Sequence, residues 1–308
     1  MRLPDRVTIC EVGPRDGLQN EPKNVPTADK IRLIEALAEA GVPRMEATSF
    51  VAPKWIPNLA DAEEVLAGAR RGPGVTYAAL VPNLRGLERA LAAGVDEAVV
   101  FLSASETHSR RNINKSIGQA LETYKAVAAR AKEAGLRLKG AISTAFGCPY
   151  EGDVDPTVVV RIATALFDMD VDEVGVADTT GMANPRQVHD VISRVAERVP
   201  VERLSLHFHD TRGTALANVL AGLQAGVSAF DGSVGGLGGC PYAKGATGNV
   251  ATEDLVHMLH EMGIQTGVNL ERLIACARLA QDLVGRPLEG HVFKSGPVTH
   301  RGTGSSCG

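Results

Sequence analysis

Aromatic side chains are scarce in this 308-residue sequence: they make up 4% of it, with one Trp, although 44% of the residues are hydrophobic. A core of Ala, Val, Leu and Gly suits closely packed helices and strands instead. Cysteine is sparse too. Cys10, Cys148, Cys240, Cys276 and Cys307 include no C-x-x-C pair, and their odd number argues against a disulfide framework. Reduced thiols in a reducing compartment are expected. No run of five like charges occurs, and no basic patch is interleaved with aromatics. With a net charge of −4, this argues against nucleic acid or an anionic membrane as the main partner. No apolar run reaches the roughly 18 residues of a spanning helix. The opening MRLPDRVTIC has neither an apolar signal core nor an Arg/Ser-rich transit character, so a cytoplasmic protein is expected.

What is present is an alternation of strand, loop and helix. Strands are expected at VTICEV (7–12), RMEATSF (44–50), VTYAALV (75–81), EAVVFLS (97–103), LRLKGAIS (136–143), DEVGVAD (172–178), LSLHFHD (204–210) and SAFDGSV (228–234). Between them, stretches such as ADKIRLIEALAEAG and TALANVLAGLQAG place apolar residues at helical spacing. Several end in a glycine, at Gly41, Gly94, Gly135 and Gly226, the usual stop signal. Eight such units predict an α/β fold, a (β/α)₈ TIM barrel with extra C-terminal helices near 252–262 and 269–284. One domain, 1–308, is expected, with the barrel over about 7–262 and a C-terminal helix and tail over about 268–308. An open doubly wound sheet is the alternative. It would usually bring G-x-G-x-x-G after strand one, where this chain has GPRDG; a Walker A loop is also absent.

Functional residues in such barrels lie at the C-terminal ends of strands. Strand one ends in Arg15-Asp16, strand two carries Glu46, strand six ends at Asp178, and strand seven ends in His207-Phe208-His209-Asp210. Unusual polar residues thus gather on one rim. His207 and His209, two apart on a strand, share a face. Two inward imidazoles plus an oxygen from Asp16 suit a divalent metal, Mg²⁺ or Mn²⁺ before Zn²⁺, although either histidine could simply hydrogen-bond in the core. Arg15 reads as a salt-bridge former or as a catalytic cation, with Glu46 as the carboxylate that would orient it. The stretch GGLGGCPYAKG after strand eight is either a plain flexible loop or a hinged cover that brings Cys240 to a ligand, with Asn249 just beyond.

Taken together, EVGPRDGLQNEP (11–22), EATSFVAPKWIP (46–57), RRNINKSI (110–117), GCPYEG (147–152), ADTTG (177–181), HFHDTRGTALAN (207–218) and GSVGGLGGCPYAKGATGNVATEDLVHML (232–259) resemble the hydroxymethylglutaryl-CoA lyase family of metal-dependent TIM barrels. The resemblance covers about residues 7–270. It implies Asp16, His207, His209 and Asn249 as metal ligands, Arg15 as catalytic arginine, Glu46 and Asp178 as acids needed for activity, and Cys240 as the catalytic-loop cysteine. It also implies an acyl-CoA substrate, a homodimer, and a retro-Claisen-type cleavage of 3-hydroxy-3-methylglutaryl-CoA to acetyl-CoA and acetoacetate. Asp16, assisted by His207, is the candidate base for the tertiary hydroxyl. The resemblance breaks on strands five and six, where Ala141 and Gly175 replace a Tyr and a Ser of the family. Smaller residues there predict a roomier or differently polar acyl pocket. A lyase for citramalyl-CoA or a longer branched analogue is therefore the runner-up. A Claisen-type synthase is third, opposed by the glycine–cysteine loop. A metal-bound binding protein without turnover would leave Arg15, Glu46 and Cys240 no reason to meet at the rim.

Overall fold

The computed structural model describes residues 3–239 and 248–298. Eight parallel strands close into a barrel in sequence order. They are β1 (Thr8–Glu11), β2 (Arg44–Ser49), β3 (Thr76–Leu80), β4 (Glu97–Ser103), β5 (Arg137–Ser143), β6 (Glu173–Asp178), β7 (Leu204–Phe208) and β8 (Ala229–Gly232). All eight lie within the expected stretches, trimmed by one or two residues at some ends. The ladder from Thr8↔Ala229 to Glu11↔Gly232 joins β1 to β8 and closes the sheet. That closure excludes the doubly wound alternative, which would leave two open edges.

The helix stops follow one recipe. After the helix Thr27–Glu39, Gly41 N bonds Ala38 O at 3.0 Å and Val42 N bonds Leu37 O at 3.2 Å. This paired closure needs a left-handed residue at Gly41, whose φ is +86°. Gly94, Gly135 and Gly226 repeat it, each followed by an apolar residue: Val95, Leu136 and Val227. Each of those residues is one or two positions from the next strand, so the glycine sets where that strand begins. The two C-terminal helices, Thr252–Glu261 and Leu270–Val284, follow β8 as expected. No helix among the described residues is long and apolar enough to cross a membrane. Cys10, Cys148 and Cys276 are buried free thiols.

Branched apolar layers usually fill such barrels. Here much of the interior is charged. Arg44 on β2 bonds Glu97 on β4 and Glu173 on β6, the latter at 2.5 Å. Lys139 on β5 lies 3.2 Å from Glu173 and 3.0 Å from Asp231 on β8. Unpaired, each such ion would cost several kcal/mol to desolvate, so the signs must alternate. This chain of charges ends at His207, which stands at the mouth of the barrel.

Candidate active site

Just past β1 the backbone tightens into a π-type turn over Gly13–Gly17, in which Val12 O accepts from the amides of Arg15, Asp16 and Gly17. Such turns often mark functional positions. The turn is anchored by Glu11. One of its oxygens accepts from Gly13 N at 2.7 Å and Val234 N at 2.9 Å; the other accepts from Thr252 Oγ1 at 2.6 Å. Burial pushes Glu11 up to about 7. A single acid thus joins the turn after β1 to the segment after β8.

The turn delivers Asp16 to the two histidines. One ligand atom each from Asp16, His207 and His209 lies within 4.8 Å of the others. The two imidazole centroids are 5.2 Å apart. The shared face expected from two-residue spacing is therefore present, although β7 ends at Phe208 and His209 sits one residue beyond, bridged to Asn249. Asn249 Nδ2 donates to Asp16 Oδ2 at 2.8 Å and to Leu237 O at 2.9 Å. Its Oδ1 is buried without a hydrogen-bond partner, as is His209 Nδ1. Leaving such atoms unsatisfied costs about 1–3 kcal/mol each, which a cation bound here would relieve. Burial, and then His207, lower His209 to about 3, so it presents a neutral imidazole. Burial would raise Asp16, but Arg15, His207 and His209 together hold it below its ordinary value as a carboxylate. One carboxylate, neutral imidazole and an orphaned amide oxygen fit a divalent cation. Gly238, at φ +101°, lets the loop pass over this pair: a Cβ there would lie 2.5 Å from Asn249 Nδ2.

Arg15 meets Glu46 at 2.8 Å and Asp16 at 2.7 Å. Burial would lower Arg15, but Glu46 and Asp16 outweigh it and keep the guanidinium charged. Its Nε, also buried, has no partner. Asp178 is not among the converging ligand atoms; its oxygens accept from Met182 N at 2.9 Å and Ala183 N at 3.1 Å, bracing the loop after β6. Burial raises it. Cys240 and Cys307 lie outside the described residues.

At Gly175 the expected extra room is absent. A Cβ there would lie 2.9 Å from Lys139 Cε, because the lysine chain occupies that space. Ala141 is half-buried. Sequence reasoning also passed over Glu11, Lys139, Thr252 and Asp231. The available signal was the presence of Arg44, Glu97, Lys139, Glu173 and Asp231 in strands that should be apolar on both faces. So many charges of both signs have to pair inside the barrel.

The family model described as HMGL-like matches residues 6–280. The hydroxymethylglutaryl-CoA lyase YngG of Bacillus subtilis is 54% identical over 298 residues, covering 96% of this chain and 100% of the relative. The crystal structure of the Bacillus subtilis HMG-CoA lyase superposes with a TM-score of 0.94 at 53% identity, covering 96% of this chain and 99% of that one. An HMG-CoA lyase from Acinetobacter baumannii, solved in complex with coenzyme A and 3-methylmalate, gives a TM-score of 0.93 at 41% identity, over 99% of this chain and 100% of that one.

Proposed function

We infer the reaction from membership, since this chain belongs to the HMGL-like family: it is a carbon–carbon lyase that cleaves 3-hydroxy-3-methylglutaryl-CoA to acetyl-CoA and acetoacetate. The observation that carries the assignment of roles is the meeting of Asp16, His207 and His209 beside the orphaned Asn249 Oδ1, with Arg15 held next to them by Glu46. Asp16, His207, His209 and Asn249 would hold a divalent cation, Mg²⁺ or Mn²⁺ by their mixed nitrogen and oxygen donors. Such an ion would supply Lewis acidity that eases loss of the proton from the substrate's tertiary hydroxyl.

Asp16, with His207 beside it, receives that hydroxyl proton. The hydroxyl oxygen becomes the ketone of acetoacetate as the C2–C3 bond breaks. The bonding electrons pass onto the thioester as an enolate. Arg15, fixed by Glu46, faces the developing negative oxygen of that enolate. Cys240, by family resemblance, returns a proton to C2 and completes acetyl-CoA. Asp178 acts through the loop it braces.

The family resemblance also supports a homodimer and a single lyase domain for this chain, and the opening MRLPDRVTIC a cytoplasmic setting; sedimentation tests the first. The substrate assignment is tested by product analysis over a panel of hydroxyacyl-CoA thioesters with Mg²⁺ or Mn²⁺. The 3-hydroxy-3-methylglutaryl thioester should turn over fastest. Preference for citramalyl-CoA or a longer branched thioester would reassign the acyl group.

A further inference from the structure

His207 and Asp231 are register partners on β7 and β8, and His207 Nδ1 lies 3.3 Å from Asp231 Oδ2. The other face of Asp231 belongs to Lys139, whose Nζ approaches Oδ1 at 3.0 Å and Oδ2 at 3.3 Å. Lys139 reaches Asp231 from β5, three strands round the barrel, and passes over Gly175 on the way. Its side chain is 5% exposed and that of Asp231 11%. A lysine ammonium only donates and a carboxylate only accepts. Asp231, clamped by Lys139, can therefore only accept a hydrogen bond from His207. Nδ1 must carry the hydrogen, so in the neutral ring Nε2 presents its lone pair.

We propose that Lys139 and Asp231 are positioning residues that act as a unit, fixing His207 in the Nδ1–H tautomer with Nε2 free toward the Asp16–His209 cluster. Gly175 is the residue that gives the lysine chain its path. A carboxylate behind a ligating histidine is a general device for fixing its tautomer and ring orientation. The distinctive feature here is the buried lysine, which dictates how the carboxylate is used. The inference rests on the reading of His207 as a metal ligand.

The test has two readouts on metal-free protein. One is the ¹⁵N spectrum of the imidazoles, with His207 assigned by its loss in His207→Gln. The other is Mn²⁺ affinity by electron paramagnetic resonance. Wild type should show His207 with Nδ1 protonated and should bind Mn²⁺. In Asp231→Asn, Lys139 claims the amide oxygen and the amide NH₂ turns to His207, so the proton should move to Nε2 and Mn²⁺ affinity should fall roughly 10–100-fold. If Asp231→Asn does not fold, Lys139→Met/Asp231→Leu removes both charges together. It should lose the fixed Nδ1–H tautomer and weaken Mn²⁺ binding by a similar factor. An unchanged tautomer with affinity within twofold of wild type, in whichever variant folds, overturns the proposal. Wild type that binds no Mn²⁺ overturns instead the ligand assignment on which it rests.

Discussion

Arg15 and Glu46, 31 residues apart in the chain, meet at 2.8 Å across the rim of the barrel. The pair holds a buried guanidinium beside Asp16 without making it a ligand. Arg15→Gln should therefore lower kcat by at least about 100-fold, the usual scale for removing one preorganised anion stabiliser. Mn²⁺ affinity should change little. Steady-state kinetics and a metal titration on one preparation check both. Turnover within a few-fold of wild type would contradict the role given to Arg15.

Asp178 gives a contrasting expectation. Both of its oxygens are taken by backbone amides of the loop after β6. Asp178→Asn removes one of those acceptors and should cost about 1–3 kcal/mol of stability. Activity should fall with it while metal affinity holds. Thermal unfolding and Mn²⁺ binding are the measurements. Lost metal affinity in a protein of unchanged stability would place Asp178 in the cluster after all.

Much of this site was legible before the structure. His207 and His209 were paired by strand periodicity alone, and the rim was located by the rule that barrel chemistry sits at strand C-termini. The four terminal glycines marked helix ends because the left-handed turn that stops a helix is local. Asn249 was harder: it lies beyond β8, and only the family resemblance gave it a role. Asp231 and Lys139 were passed over for a physical reason. Whether a charge on a barrel strand faces inward depends on register and on which distant strand supplies its partner, here β5 for β8. At Gly175 the roomier pocket is not found for the same reason, since the Lys139 chain fills the space; a differently polar pocket, the other expectation there, agrees with a lysine in that place.

Glu253 offers a test by pH. Burial, with Asp254 and Glu11 adding to it, raises this acid from its ordinary 4.5 to about 8. One of its oxygens accepts from Gly235 N at 3.0 Å; the other is buried without a partner. Between those two pH values the folded chain keeps a proton that the unfolded chain has released. Folding then takes up a proton, so raising the pH weakens the fold. Glu253→Gln lacks that proton exchange. Its melting temperature relative to wild type should climb from about pH 5 and level off above about pH 8. A difference that is flat across that range would show that Glu253 is ionised in the folded protein.

We propose that Asp16, His207, His209 and Asn249 hold the divalent cation with which this chain cleaves 3-hydroxy-3-methylglutaryl-CoA. The most direct measurement is acetoacetate release from that thioester by protein stripped of metal with EDTA, before and after adding back Mg²⁺ or Mn²⁺. Wild type should be silent when stripped and should recover on either addition, while His209→Ala should stay at least about 100-fold below it at the same metal concentration. Full turnover by stripped wild type, or recovery of His209→Ala to the wild-type rate, would show that these four residues do not hold a catalytic cation.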